Sequence, residues 1–222
     1  MRYLDLLTAL FATVLLVSNV ASTKLVVLGP FTFDGGTLLF PLAYIFGDVL
    51  TEVYGYRKSR RVIWIGFYAL LLATLTFQAV AHLPAPPDAE SQRFGEAFGL
   101  LLGLTPRIVL GSLLAYFLGE FANAYVLAKL KVRTEGRFFW LRALASTLVG
   151  QGLDTGVFLL VAFYGVFPKE VLLAVFLSNY AFKLGVEALM LPFTYAVVGF
   201  LKRAEGMDAY DRDTDFNPFR LT

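Results

Sequence analysis

The sequence predicts an all-α integral membrane protein: a compact bundle of six transmembrane helices with both termini in the cytoplasm. Three observations carry this. Hydrophobic residues make up 58% of the 222 and mean hydropathy is +0.67, whereas a soluble domain holds about 45–50% apolar residues. The apolar residues fall into six runs near the ~20-residue length that crosses a bilayer. Lysine and arginine alternate in density, with fourteen on the faces that a six-span count groups with the termini and four on the opposite faces. Such an excess marks the cytoplasmic side.

The first span is Leu4 to Ala21. It has the length of a signal-peptide core, but Asn19 stands where a small residue should precede a cut at Ala21, and more spans follow. It is therefore read as a retained helix. Lys24 and a turn-like Asp34-Gly35-Gly36 lead to the second span, Thr37 to Tyr54, which ends at Gly55 and the basic cluster Arg57, Lys58, Arg60 and Arg61. The third span, Val62 to Ala81, carries no charge until its end, where the lone His82 sits beside three prolines as a solvated loop residue.

Phe94 to Leu104 is apolar but too short to span, so it lies in the interface or dips in as a re-entrant segment. The fourth span, Arg107 to Leu130, carries Gly111, Ala115 and Gly119 at four-residue spacing. That stripe packs inside the bundle or makes a homodimer, and spacing leaves both open. The fifth span contains RALASTLVGQGLDTGVF from Arg142 to Phe158, with Gly152 and Gly156 bracketing Asp154. The sixth, Val171 to Leu201, exceeds what a bilayer needs and predicts a tilt, or a bend near Pro192. Residues 1–203 thus read as one six-span transport domain and 204–222 as a charged cytoplasmic tail. The chain has no cysteine, which excludes disulfides and thiolate metal sites, and no cofactor or metal is expected.

Six ionisable residues fall inside spans: Asp48, Glu52, Glu120, Asp154, Lys183 and Glu187. Each costs up to ~2.5–3.5 kcal/mol near a helix centre unless paired, neutralised or wet. Glu52 lies within two turns of the Arg57 cluster, which offers it a partner; a role in coupling or gating, with Glu120, is the alternative. Lys183 and Glu187 stand at i, i+4 and are able to neutralise each other. Asp48, Glu120 and Asp154 then remain without an opposite charge, a surplus that suits a ligand bringing donors or positive charge.

Two stripes repeat at four-residue spacing, Tyr44-Asp48-Glu52 and Asn179-Lys183-Glu187. Asp154 stands twelve residues from Arg142, roughly 18 Å along a helix and so near the midplane. Asn19 lies closer to the outside. A guanine-like edge offers two adjacent N–H donors and a carbonyl, which Asp154, Gln151 and Lys183 are equipped to read, while Tyr44 and Phe158 supply rings for stacking. The candidate substrate-binding set is Asn19, Tyr44, Asp48, Gln151, Asp154, Phe158, Asn179, Lys183 and Glu187.

At these residues the chain resembles the queuosine precursor transporter family, grouped with vitamin-uptake permeases. The matching pieces are Ser18-Asn19, FPLAYIFGDVLTEVYG from Phe40 to Gly55, Arg60-Arg61, ASTLVGQGLDTGVF from Ala145 to Phe158, NYAFKLGVEALMLP from Asn179 to Pro192, and FNPF from Phe216 to Phe219. The resemblance implies import of 7-cyano- or 7-aminomethyl-7-deazaguanine across the inner membrane. It also implies a six-helix form similar to the substrate-binding subunits of energy-coupling-factor transporters. The implied partners are a small-molecule substrate and the lipid bilayer, with no nucleic acid.

Two other readings stand beside it. The chain has no G-x-x-x-x-G-K-[ST] phosphate loop, so it brings no ATPase of its own. A substrate-binding subunit awaiting an ATP-driven module is therefore one alternative. Aspartates on spans two and five also suggest an intramembrane aspartyl protease, but Gly152-Leu153-Asp154 is not G-x-G-D, Asp48 has no adjacent tyrosine, and no H-E-x-x-H occurs. The expectation is a transporter and not an enzyme.

Overall fold

A computed structural model describes residues 1–28, 31–104 and 106–220. Its elements, in order, begin with helix α1 (Leu4–Ala21), strands β1 (Leu25–Leu28) and β2 (Phe31–Asp34), a 3₁₀ turn (Gly35–Leu38), and helix α2 (Phe40–Val49) continued by a π-helical turn (Leu50–Tyr54). Helices α3 (Tyr56–Ala81), α4 (Ala89–Leu102), α5 (Pro106–Arg133), α6 (Phe139–Phe163) and α7 (Lys169–Glu205) follow. Five of these helices, α1, α3, α5, α6 and α7, are long and apolar enough to cross a membrane.

The predicted second span departs from a plain helix. Residues 35–54 pass from 3₁₀ to α to π geometry, and no single piece has the length of the other five. π turns widen the hydrogen-bonding register and recur at functional sites; here the turn Leu50–Tyr54 is buried throughout. A further departure is the antiparallel ribbon β1–β2, which pairs Leu25 with Asp34, the first residue of the stretch read as turn-like. Hydropathy alone does not distinguish such short apolar pieces.

The apolar segment after the third span forms a helix that the rest of the protein does not cover: α4 has no buried residue, and Leu100 is 85% exposed. It is capped by Asp88, which accepts the Ser91 N–H at 2.8 Å, and touches α3 through Phe98 against Phe77. The sixth span holds as one 37-residue helix with Pro192 inside it.

The glycine stripe of α5 is spent inside the bundle, which removes it as a homodimer face. A Cβ on Gly119 would stand 2.8 Å from the Asp154 Cβ and 3.0 Å from the Gly150 carbonyl oxygen, and one on Gly111 would meet Ala162 at 3.4 Å. The reciprocal glycine of α6 is Gly150, whose Cβ would stand 2.9 Å from the Gly119 oxygen. Gly152 and Gly156 instead face the rings of Tyr180 and Phe176 on α7, each at 3.7 Å.

The start of α1 and the end of α7 lie together. The backbone N–H groups of Arg2 and Tyr3 donate to Glu205 at 2.9 and 2.7 Å, and the Tyr54 hydroxyl donates to it at 2.9 Å. Beyond α7 the tail runs back along α3. Arg60 donates to the carbonyls of Asp215 and Asn217 at 2.8 and 2.6 Å, and the Trp64 indole N–H to that of Pro218 at 2.7 Å. Phe216 lies against Tyr56 and Tyr125, and Phe219 against Trp64 and Phe117. Gly55, at φ +81°, makes the tight turn into α3, and a side chain there would press on Ala209 and Asp211 of the tail.

Candidate functional site

Helices α1, α2, α3, α5, α6 and α7 enclose a cavity of about 500 Å³ in the half of the bundle away from the termini. That size lies within the range of small-molecule sites. Its walls include Asn19 of α1, Tyr44 of α2, Glu120 of α5, Gln151, Asp154 and Phe158 of α6, and Asn179 and Lys183 of α7. Seven of the nine candidate substrate-binding residues are therefore brought to one surface, from four helices. Glu120, read from sequence as a coupling or gating residue, lines the same cavity.

The centre of that wall is an ion pair. Lys183 Nζ donates to Asp154 Oδ2 at 2.9 Å and to the Thr155 hydroxyl at 3.2 Å. The sequence expectation that Lys183 pairs with Glu187 is thus corrected: proximity along a helix yields to a partner on the facing helix. Both side chains keep contact with the cavity, at 16% and 27% exposure. The Gln151 amide oxygen is buried and accepts no hydrogen bond, which leaves a strong acceptor beside the pair.

Asp48 and Glu187 stand outside the cavity lining, one layer nearer the termini. Asp48 is fully buried and accepts one hydrogen bond, from the Asn123 side-chain amide at 3.3 Å. Glu187, also buried, faces it from α7. The two residues that sequence placed at the substrate thus face one another instead.

Glu52, one turn further, corrects a second expectation. It does not pair with the Arg57 cluster. Arg142 of α6 grips its carboxylate from two sides at 2.5 and 3.2 Å, Lys202 of α7 donates at 2.7 Å, and Lys131 of α5 stands 3.5 Å away. Asp208 of the tail accepts from both Lys131 and Lys202. Burial pushes the Asp208 carboxyl up, but the hydrogen bonds from Lys131 and Lys202 outweigh it and hold the group below its ordinary range. This network ties α2, α5, α6, α7 and the tail together at the end opposite the cavity mouth. Of the basic cluster, Arg60 is consumed by the tail and Arg57 and Arg61 are exposed.

Ser18, Thr155 and Tyr116 add hydroxyls to the cavity wall. Sequence reasoning did not single them out as site residues, because serine, threonine and tyrosine are common in membrane helices and stand out only once neighbours are known.

A bundle of long apolar helices around a largely apolar cavity with a few convergent polar side chains, closed at one end by buried ion pairs, defines a multi-pass membrane protein of the transporter class. Residues 34–197 match the family model described as "Putative vitamin uptake transporter". The chain is 36% identical to the "Probable queuosine precursor transporter" of Bacillus subtilis (strain 168) over 84% of its own length and 80% of the relative's. It is 27% identical to the "Queuosine precursor transporter" of Escherichia coli (strain K12), over 73% and 71%. The corresponding figures for the "Probable queuosine precursor transporter" of Haemophilus influenzae (strain ATCC 51907 / DSM 11121 / KW20 / Rd) are 25%, 73% and 67%. The chain belongs to the queuosine precursor transporter family, of the vitamin uptake transporter type. No solved structure matches it.

Proposed function

We propose that this protein imports a queuosine precursor, 7-cyano-7-deazaguanine or 7-aminomethyl-7-deazaguanine, across the inner membrane and binds it near the midplane in the α1–α2–α3–α5–α6–α7 cavity. The observation that carries the reading is the Asp154–Lys183 pair, half open to a cavity of about 500 Å³. Together with the unsatisfied Gln151 oxygen, it offers one face of a deazapurine an acceptor for paired N–H groups and donors for its carbonyl. Tyr44 and Phe158 offer rings for its flat faces. The names of the relatives supply the substrate class.

The chain crosses the membrane six times, with the 3₁₀–α2–π segment as the second crossing and both termini cytoplasmic. The meeting of Arg2 and Tyr3 with Glu205 supports an even number of crossings, which five long helices alone do not give. The lysine and arginine excess on the terminus side supports the orientation. In overall form the protein is of the energy-coupling-factor substrate-subunit type: residues 1–203 carry the transport function and 204–222 form the cytoplasmic tail.

The test is a thermal-shift series on purified protein with both precursors, guanine and adenine. Ligand that binds the folded state alone raises its melting temperature. Stabilisation by the deazaguanines and not by adenine is expected, with Asp154→Asn abolishing it. A flat response to both precursors in the wild type would overturn the substrate assignment.

A further inference from the structure

Beneath the cavity lies an acidic layer to which no cation is paired among the described residues. Asp48 of α2 is fully buried, Glu187 of α7 is 2% exposed, and the two face one another. Glu120 of α5 acts on Asp48 from the cavity side. Among the described residues, the buried cations are committed elsewhere: Lys183 to Asp154, and Arg142, Lys131 and Lys202 to Glu52. No ion pair among the described residues reaches Asp48, Glu187 or Glu120.

Two adjacent carboxylates in a membrane interior, both charged and uncompensated, carry a penalty that no single hydrogen bond offsets. The layer therefore needs a bound positive species. Asp48 Oδ2 and Asn123 Oδ1 are buried acceptors without a hydrogen-bond partner, so the site has places for one. Neither Asp48 nor Glu187 lines the cavity, and the nearby void beside Gly47, Glu120 and Asn123 is about 10 Å³, at the lower limit for one water. No group of three His, Asp or Glu side chains able to hold a metal ion occurs among the described residues. A proton needs no volume.

We propose that Asp48 and Glu187 form a proton-binding site that couples import to an inward proton gradient. A proton from the outer solution reaches the pair from the cavity by way of Glu120. It leaves toward Glu52 when the network of Arg142, Lys131 and Lys202 opens at the other end. One proton is taken up outside and the same proton is released inside, so nothing is oxidised or reduced. Tyr44 and the Asp154–Lys183 pair face this layer from the cavity side, Asn123 faces it from α5, and Glu52 stands one turn below on the same helix as Asp48. The inference rests on the importer reading for its transport arm and stands apart from it for the proton site itself.

The site is tested without substrate by infrared spectroscopy of the purified protein. A protonated-carboxyl band, shifted in deuterated water, is expected in the wild type and loses a component in Asp48→Asn and in Glu187→Gln. An unchanged band in whichever variant folds overturns the proposal. In wild-type proteoliposomes, accumulation of 7-cyano-7-deazaguanine should follow an inward proton gradient. Accumulation driven by a sodium gradient alone, or indifferent to both gradients, overturns the coupling. In the variants, gradient-driven accumulation should be lost while exchange of internal for external precursor persists, because exchange moves no net proton. Loss of exchange along with accumulation in a folded variant would return these carboxyls to substrate binding and overturn the coupling role. Absence of any precursor exchange in the wild type strikes the substrate reading, and the infrared result still decides the proton site.

Discussion

Glu52 and Arg142, ninety residues apart in the chain, meet in a two-pronged ion pair in which both side chains are 1% exposed. Arg142 also donates to the carbonyls of Arg137 and Gly136, each at 3.0 Å. Four of its five N–H donors are thus used at the turn where α5 gives way to α6. Removing one member leaves the other charged and buried. Arg142→Ala should lower stability by about 3–5 kcal/mol, read as an earlier melt of the detergent-solubilised protein. Glu52→Gln should be as severe, because it leaves Arg142, Lys131 and Lys202 gathered around a neutral amide. A melting temperature unchanged in both would mean that the network is ornamental.

Asp154→Asn should abolish precursor uptake while the protein still inserts. The amide keeps the shape but removes the charge that fixes Lys183 at 2.9 Å. Asp154→Glu should retain part of the activity. Queuosine formation at limiting external precursor, in a strain that depends on this protein, checks both.

The close approach of α5 and α6 depends on two glycines, and a side chain there must separate the helices. Gly150→Val puts atoms within 3 Å of Gly119 and Asn123 and should cost about 1–3 kcal/mol as overpacking, with loss of uptake as Asp154 moves. Gly199→Ala meets nothing within 4 Å and should be neutral or stabilising by up to about 1 kcal/mol through helix propensity. Melting curves of the two variants side by side give the comparison.

The tail should be released by acid. Burial raises the Asp208 carboxyl, but hydrogen bonds from Lys131 and Lys202, both outside the tail, outweigh it and hold the group low. A carboxyl whose docked value is depressed contributes to docking above its ordinary value of about 3.9 and loses that contribution as pH falls further. Docking is therefore full at neutral pH and weakens below about pH 4. Trp64, bonded to Pro218 at 2.7 Å, reports it: in a Trp140→Phe background its emission should shift to the red on acidification. In Asp208→Asn the shift should begin from a tail already less tightly held. An emission spectrum constant down to about pH 3 would count against the assignment.

Much of this was legible in the sequence, because a bilayer imposes length and polarity on each span directly. The five long helices, and the stretch that completes the second span, fall where the apolar runs lie. Asn19, Tyr44, Gln151, Asp154, Phe158, Asn179 and Lys183 do share one cavity, since polar residues in membrane helices turn toward protein and away from lipid. The pairings were not legible. Spacing along a helix suggested Glu52 with the Arg57 cluster and Lys183 with Glu187, but the observed partners come from other helices, and i, i+4 rules carry no information about those. Nor does composition reveal that residues 35–54 change helical register twice.

The tail's packing sets an order of events. Arg60 and Trp64 stand at the start of α3, yet the carbonyls that satisfy them come from residues 215–218, more than 150 positions later. During synthesis α3 must enter the bilayer with this end still bare, and it stays so until the last residues emerge. A chain cut before Asp215 would complete its membrane insertion and still leave Arg60 and Trp64 without these partners.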